Sequence, residues 1–389
     1  MRLQAALTAA VALVLAATAA GCAADEKPSG ARADEIVIGA SLELSGPTAS
    51  IGTAYRKALE LKVKQLNEAG TLGGRTIRLV VRDNRTDTSA SVDNINQLIR
   101  NDHASALIMG GCSACGAAAI PSINQSKVPA IALASASALT QPVADRRYIF
   151  KISPNPGQDA TAITAELQRT KVTRVGLLSV NNVYGQEGQK AVTQQAGRAG
   201  IAVADAEQFG QADTTVSVQV SKIAAVKPDA VVVWAVMPAA ATIVKGLRDA
   251  GYRGSVYLDA GAGAELFVKG AGAAAEGTDM VFPKVLASGD IDVSTPAGAA
   301  QKAWVEAYEA ANGDYSGFAS FAADAVQVIA DAVVSTGSTD PGRVRDAIET
   351  AKLDGDSGPL AFSAAEHSGL QPAALGILQV RQGAWRLVK

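Results

Sequence analysis

Short apolar segments alternate with longer amphipathic segments along most of this chain, as in residues 36–42 followed by residues 52–68. Strands that alternate with helices favour a parallel sheet covered by helices on both faces. The alternation restarts after residues 148–153 and a break at Pro154-Asn155-Pro156. We therefore predict an α/β fold of two doubly wound, parallel-sheet lobes.

The segment at residues 295–352 is mostly helical, and late strands are predicted at residues 358–362 and 374–380. A tail of this length is too long to cap one lobe, so we predict that it crosses to lobe 1 and returns to lobe 2. The predicted bounds are 35–153 plus 283–355 for lobe 1, and 154–282 plus 356–389 for lobe 2. Several crossings form a hinge, and ligands of open α/β sheets bind beyond the C-terminal ends of the strands.

The N-terminus has the pattern of a bacterial lipoprotein signal. Arg2 precedes an apolar stretch at residues 3–20, and Gly21-Cys22 follow, which resembles a lipobox. We predict a signal peptide at residues 1–21, lipidation of Cys22, and a flexible tether at residues 22–34. The exported protein would then be anchored to the outer face of the cytoplasmic membrane. A plain secretory signal and a membrane helix are the alternative interpretations.

The composition argues against several other functions. The net charge is −2 and no stripe of Lys or Arg is present, which argues against a nucleic-acid partner. His103 and His367 are the two histidines, too few to favour a metal site or a Ser-His-Asp relay. Gly261-Ala-Gly263 matches the first two glycines of the dinucleotide-binding fingerprint G-x-G-x-x-G. Leu266 occupies the position of the third glycine, which argues against a dinucleotide cofactor.

The segment at residues 110–120 is the most informative for function, because a buried strand there ends in Gly110-Gly111 and turns into a helix. Such a turn leaves free backbone N–H groups at the positive end of the helix dipole, which together form an anion site. Ser113 adds a hydroxyl group near the start of this helix.

A second segment has the same design. The apolar residues 129–132 are followed by Ala134-Ser135-Ala136-Ser137. Two neighbouring strand ends that offer N–H and hydroxyl groups predict a site for one carboxylate.

Short motifs recur in a specific order along nearly the whole mature chain. They are Ile36-Val-Ile-Gly39, Ser45-Gly46-Pro47, Gly52, Asn67-Glu-Ala-Gly70, Gly73, Asp83-Asn84, Cys112-Ser113, Val128-Pro129, Leu139-Thr140, Tyr184-Gly185, Asp213, Pro228-Asp229 and Glu276-Gly277. In this order and spacing they resemble the type I periplasmic solute-binding proteins, and most of all the Leu/Ile/Val-binding branch that serves hydrophobic amino acid ABC importers.

The resemblance implies a small-molecule ligand that is clamped between two lobes and delivered to an ABC transporter permease, with no enzymatic chemistry. It implies that Ser113 and the loop from Ala134 to Ser137 bind the ligand carboxylate, with Ser135 and Ser137 competing for one aligned position. Tyr184 matches an aromatic residue of lobe 2 that covers the ligand. Ser45, in the Ser-Gly-Pro turn, is a further candidate contact.

The chain departs from the family pattern where an amino acid's ammonium group would bind. Amino-acid binders place an acidic residue of lobe 2 there, but the matching position is Ala260, with Asp259 beside it. Since an unpaired buried ammonium is costly, an α-amino acid requires Asp259 or another acid to reach in. Met237 stands where the family often has Tyr, and Ile51 replaces an aromatic residue. The predicted ligand is a branched-chain or other amino acid, or an aromatic or aliphatic acid.

Two other functions remain open at this point. The same clamp is also suited to a ligand sensor that signals to a regulatory or receptor partner. Cys112 and Cys115 resemble a redox Cys-x-x-Cys at a helix start, which would suit an exported oxidoreductase. A structural disulfide or a packed thiol pair is the alternative interpretation of these two cysteines.

Overall fold

The computed structural model describes residues 35–213, 215–263 and 265–388. The predicted signal peptide, the lipidation site at Cys22 and the tether therefore lie outside the described residues.

Lobe 1 is built on a five-stranded sheet in which every neighbouring pair of strands is parallel. Its strands and connecting helices are β1 (Glu35–Leu42), α1 (Ala49–Ala69), β2 (Thr76–Asp83), α2 (Thr88–Arg100), β3 (Ala106–Met109), α3 (Ser113–Ser126), β4 (Ala130–Ala132) and β5 (Ile149–Lys151). The strand order is β2-β1-β3-β4-β5, so the ends of β3 and β4 lie side by side.

Lobe 2 is built on a seven-stranded sheet. Its elements are α4 (Pro156–Arg169), β6 (Arg174–Val180), α5 (Val183–Arg198), β7 (Ala202–Phe209), α6 (Ser217–Ala225), β8 (Ala230–Trp234), α7 (Ala239–Asp249), β9 (Ser255–Leu258), α8 (Glu265–Ala271), β10 (Asp279–Pro283), β13 (Leu375–Arg381) and β14 (Ala384–Leu387). The strand order is β14-β13-β10-β9-β8-β6-β7.

The sheet of lobe 2 differs from the predicted parallel sheet at one edge, where β13 and β14 run antiparallel to their neighbours. Only Gln382 and Gly383 separate these two strands, and both have positive φ angles, as a tight hairpin turn requires. A parallel pair would need a crossover of about a dozen residues, which this part of the chain does not supply.

The remaining elements pack on lobe 1. They are α9 (Pro296–Asn312), α10 (Phe318–Thr336), α11 (Pro341–Glu349), and a hairpin of β11 (Lys352–Gly355) and β12 (Gly358–Ala361). Helix α10 packs along α1. Its length and apolar composition would also suit a membrane span, but most of it is buried inside the fold.

The chain passes between the lobes three times: after β5, after β10, and before β13. The third passage comes later than predicted. Lys151 of β5 pairs with Ser368, and Leu360 pairs with Leu370, so the chain stays with lobe 1 until Leu370. The predicted boundary at residue 355 is therefore too early, because it falls inside the hairpin of β11 and β12, and three isolated bridges involve later residues before the chain leaves lobe 1.

Candidate functional site

A cavity of about 220 Å³ lies between the two lobes, beyond the ends of β3 and β4. Its aromatic and large apolar lining residues are Ile51, Tyr55, Leu133, Tyr184, Val236, Phe318 and Phe321. Its polar lining side chains, other than Tyr184, are Thr48, Thr86, Ser113, Ser135, Ser153, Asn182 and Gln211. Within the part of the chain that the structure describes, no charged side chain lines this cavity.

The start of helix α3 forms one wall. Cys112 is the N-cap residue, and its Sγ accepts a hydrogen bond from the Cys115 N–H at 3.2 Å. The two cysteines form a disulfide bond. Ser113 and Ala114 also line the cavity, and their N–H groups have no acceptor among the described residues. Because they belong to the first turn of a 14-residue helix, they present the positive end of its dipole to the cavity.

The two glycines before this helix do not offer the free N–H groups that the sequence suggested. The Gly110 N–H donates to the Ser41 carbonyl oxygen at 2.9 Å, and the Gly111 N–H donates to Glu43 Oε1 at 2.6 Å. The N–H groups that remain for an anion therefore belong to Ser113 and Ala114.

Glu43 was missed by the sequence analysis, although a single acid directly after a buried strand is a recognisable signal. Its side chain is fully buried, and its Oε2 has no hydrogen-bond partner among the described residues. Burial raises the pKa of Glu43 to about 7, against the lowering effect of hydrogen bonds such as that from Gly111. Glu43 therefore exchanges a proton near neutral pH, directly behind the turn that forms the cavity wall.

We expect the Glu43→Gln variant to have a flatter stability profile between pH 5 and pH 8 than the wild type. The pKa of Glu43 is raised on folding, so its contribution to stability is complete below the unfolded pKa of 4.5 and is lost as the pH rises through about 7. A shift of this size corresponds to about 3 kcal/mol. Urea unfolding at a series of pH values measures this difference.

The matched control is Glu60→Gln, which changes an exposed glutamate on α1. Asp259, Asp279 and Asp324 are also largely or fully buried with pKa values raised to about 7, so the wild type and the control should both lose stability over this range. Parallel profiles for the wild type and Glu43→Gln would show that Glu43 does not titrate as described.

The loop after β4, residues 134–138, forms the neighbouring wall. Ala134 and Ser135 line the cavity, and their carbonyl oxygens accept hydrogen bonds from Ser153 Oγ at 2.7 Å and Lys151 Nζ at 2.8 Å. Ser113 Oγ accepts from the Ala136 N–H at 3.4 Å, which joins the two predicted strand ends directly. Of the two competing serines, the structure places Ser135 in the lining and Ser137 outside it.

Tyr184 of α5 covers the cavity from lobe 2, but Asp259 does not reach the cavity. Asp259 Oδ1 accepts from the Ala235 N–H at 3.0 Å, and Oδ2 accepts from the Gly261 N–H at 2.9 Å and from the Tyr184 hydroxyl. Burial raises the pKa of Asp259 to about 7. This acid therefore fixes the ends of β8 and β9 and the ring of Tyr184.

A second buried acid, Asp159, lies behind Ala260. It interacts with the Ala260 backbone, and burial, followed by the charge of Asp259, raises its pKa well above the usual range. Ala260 itself lines the cavity. The wall that would face an ammonium group is thus a methyl group, and the two acids behind it are withdrawn from the cavity.

Two further predicted residues lie elsewhere. Ser45 Oγ donates to Asp83 Oδ2 at 2.6 Å, so Ser45 closes a turn at the cavity's outer edge without lining it. Met237 lines a shallow groove with Pro47 and Leu266, while Val236, one residue earlier, lines the cavity. The strand β8 ends at Trp234, and the residues after it leave the sheet, so alternation along a strand could not identify the lining residue.

Several lining residues were missed. Tyr55 follows Ile51 by four residues on α1, and Phe321 follows Phe318 by three on α10, so each pair shares one helix face. The Tyr55 hydroxyl donates to the Leu133 carbonyl oxygen at 3.2 Å, and its ring meets that of Phe318 edge-on at 5.9 Å. Helical periodicity was the available signal for these side chains.

The arrangement can bind a small anionic ligand that has an apolar body. It combines a helix N-terminus, hydroxyl groups and aromatic walls, and no group of three or more metal-ligating side chains occurs in the described residues.

The chain is similar to known binding proteins over almost its whole described length. The model of the family described as periplasmic binding protein matches residues 35–384. The leucine-, isoleucine-, valine-, threonine- and alanine-binding protein of Pseudomonas aeruginosa is 25% identical over 334 residues, which is 85% of this chain and 86% of that protein.

Two solved structures share the fold. An extracellular ligand-binding receptor from Rhodopseudomonas palustris HaA2 is 26% identical, with a TM-score of 0.84 over 91% of this chain and 99% of that chain. An ABC transporter solute-binding protein from R. palustris, solved in complex with 4-hydroxybenzoate, is 19% identical, with a TM-score of 0.81 over 92% of this chain and 96% of that chain.

These relatives are solute-binding proteins and not enzymes, and their family works outside the cytoplasm. The family match, the two α/β lobes and the cavity between them agree with one another. The chain therefore belongs to the type I periplasmic binding proteins, in the branch that contains the Leu/Ile/Val-binding proteins.

Proposed function

We propose that this protein captures a small carboxylate that has no ammonium group, such as an aromatic or branched aliphatic acid, and delivers it to an ABC importer. The observation that carries the proposal is the composition of the cavity wall: a helix N-terminus and hydroxyl groups face aromatic side chains, and no acidic side chain lines the described cavity.

The carboxylate would bind at the start of α3. The N–H groups of Ser113 and Ala114 and the Ser113 hydroxyl are suited to a carboxylate, since a helix N-terminus favours negative charge. Ser135 faces the same cavity from the neighbouring strand end. Cationic side chains are not needed at such a site, because aligned N–H groups provide the positive potential.

The opposite side of the cavity argues against an ammonium group. Ala260 lines it, and Asp259 is occupied by two backbone N–H groups and the Tyr184 hydroxyl. A buried ammonium without an anionic partner loses several kcal/mol of hydration that nothing replaces. The name of the Pseudomonas relative shows that this family includes α-amino acid binders, and the change at Ala260 supports a different ligand class here.

The side walls support an apolar body for the ligand. Tyr55 and Phe318 from lobe 1 and Tyr184 from lobe 2 present aromatic surface to the cavity. Aromatic side chains bind flat apolar groups through large contact areas and edge-on contacts. The R. palustris protein that contains 4-hydroxybenzoate shows that this fold accommodates an aromatic acid.

Capture would proceed by closure of the two lobes around the hinge, with the ligand favouring the closed state that it contacts from both sides. Cys22 would hold the protein at the membrane surface beside the permease. The lipobox-like sequence Gly21-Cys22 and the polar tether after it support this anchoring.

We expect Ser113→Ala to weaken the binding of benzoate and 4-methylpentanoate by about 10- to 150-fold, because the variant loses one hydrogen bond to a charged group, worth about 1.5–3 kcal/mol. The backbone N–H groups of the helix remain, so binding is not abolished. Isothermal titration calorimetry on the protein from residue 25 onward measures both affinities.

Ser122→Ala is the matched control, because Ser122 lies on the same helix and does not line the cavity. It should bind both acids as the wild type does. Equal affinities for Ser113→Ala and Ser122→Ala would argue against the carboxylate subsite at the start of α3.

A further inference from the structure

Glu187 of lobe 2 contacts lobe 1 at two points next to the cavity. Its carboxylate accepts a hydrogen bond from the Ser137 N–H at 2.6 Å and another from the Ala138 N–H at 3.1 Å. These N–H groups belong to the same 134–138 loop whose first residues line the cavity. An ionised acceptor that engages two adjacent N–H groups forms a strong contact with a defined geometry.

The other polar groups of this loop are held by lobe 1 itself. Lys151 Nζ donates to the Ser135 carbonyl oxygen, and Arg146 Nε donates to the Ala138 carbonyl oxygen at 3.0 Å. The Ala136 N–H donates to Ser113 Oγ. The N–H groups of Ser137 and Ala138 thus receive their partner from lobe 2, and they lose it when the lobes separate.

Glu187 is linked to the ligand site through its own helix. It follows Tyr184 by three residues on α5, so the two side chains lie on the same helix face. Tyr184 covers the cavity, and α5 also packs against α3, whose first turn forms the opposite wall. A movement that seats Tyr184 over the cavity therefore also brings the Glu187 carboxylate to the loop.

The charges around Glu187 favour this contact. The Lys151 Nζ group, when protonated, attracts the Glu187 carboxylate, and the Arg146 guanidinium contacts the 134–138 loop at the Ala138 carbonyl oxygen. An ion pair between the lobes joins Lys269 to Asp314, but both of its side chains are 62% exposed. A surface pair of that kind contributes little, so Glu187 has the better placed contact.

We propose that Glu187 is a latch that holds lobe 2 closed on the 134–138 loop, and that it sets the residence time of the bound solute without contacting it. Glu187 is thus a positioning residue. The inference deepens the proposed function and depends on it for the ligand measurements. Whether the two lobes are closed is measured without ligand. Failure of the latch can therefore be distinguished from failure of the proposed ligand class.

Three variants test the latch. Glu187→Ala removes both acceptors, and Glu187→Gln keeps one amide oxygen at nearly the same volume. Glu207→Gln is the matched control, because the Glu207 carboxylate pairs with Lys222 inside lobe 2. Small-angle X-ray scattering of the ligand-free proteins gives the radius of gyration, and stopped-flow mixing with benzoate or 4-methylpentanoate gives the rate constants.

For Glu187→Ala we expect a larger radius of gyration than for the wild type and a dissociation rate about tenfold higher, with the association rate nearly unchanged. The radius of gyration and the dissociation rate of Glu187→Gln should lie between those of the wild type and Glu187→Ala, and Glu207→Gln should match the wild type.

The latch proposal would be overturned if both Glu187 variants had the radius of gyration and the dissociation rate of the wild type. If Glu187→Ala fails to fold, Glu187→Gln decides. If neither acid binds to the wild type, the proposed function fails. The latch is then tested by the radius of gyration of the ligand-free proteins alone.

Discussion

Replacing Ala260 by Asp is expected to reverse the ligand preference of the cavity. The new carboxylate would line the cavity opposite the start of α3, where it has no cationic partner among the described residues. An acid without an ammonium group would leave that charge buried and unpaired, at a cost of about 3–5 kcal/mol. The affinity for 4-methylpentanoate should therefore fall by at least about 100-fold. Leucine, which supplies the missing ammonium, should bind the variant more tightly than it binds the wild type.

Ala260→Asn is the matched control for this change, because it adds a side chain of the same size without a charge. It should weaken the binding of both 4-methylpentanoate and leucine, because the larger side chain takes up cavity volume, and it should not favour leucine. Titration calorimetry of the two variants with both molecules separates charge from volume. The same preference in the Asp and Asn variants would mean that position 260 does not face the ligand's ammonium position.

The Gly185→Ala substitution is expected to lower the free energy of unfolding by about 3 kcal/mol or more. A Cβ atom at this position would lie 1.8 Å from the Val180 carbonyl oxygen, a backbone atom at the end of β6. The Gly185 N–H is also bonded to the N-cap residue Asn182 at 3.0 Å, so the helix start cannot simply move away. Thermal unfolding of Gly185→Ala should show a midpoint that is lower by roughly 5 °C or more.

The Gly185→Ala variant should also bind ligand weakly, since Tyr184 and Glu187 both belong to the helix turn that is displaced. Gly197→Ala is the matched control on the same helix, because no described atom beyond the adjacent helix backbone lies within 4 Å of a Cβ atom there. Alanine in an exposed helical position stabilises by up to about 1 kcal/mol relative to glycine. An unchanged midpoint for Gly185→Ala would contradict the close approach of α5 to β6.

Much of the architecture followed from the sequence, because strands buried on both faces are continuously apolar. All five residues of β8 are buried, as are all four of β3, and such runs between amphipathic helices are easy to recognise. The antiparallel edge strand β14 was not predicted, since Trp385 is buried while the other three residues of the strand are partly or fully exposed. Strand β10 was missed as well, although all five of its residues are buried.

Two of the family motifs, Asp83-Asn84 and Pro228-Asp229, have a structural role. Asp83 accepts hydrogen bonds from the N–H groups of Leu44, Ser45 and Arg85, and Asp229 accepts from those of Thr173 and Arg174. These aspartates hold turns in place.

The candidate site was only partly predictable because its residues converge from distant segments. Ser113, Ala134, Ser135 and Tyr184 were identified from strand ends and from the resemblance, and the structure brings them around one cavity. Asp259 was a reasonable ammonium partner from its position. The sequence contains no sign that its oxygens are taken by two N–H groups and a tyrosine hydroxyl, which depend on the tertiary fold.

The most direct test of the proposed ligand class compares two pairs of molecules that differ only in the ammonium group. The pairs are 4-methylpentanoate with leucine, and 3-phenylpropanoate with phenylalanine, each titrated calorimetrically into the wild-type protein from residue 25 onward. We predict that in at least one pair the acid binds about 100-fold or more tightly than the amino acid, because Ala260 offers no partner to an ammonium. Affinities that are equal, or that favour the amino acid, in both pairs would contradict the proposed ligand class.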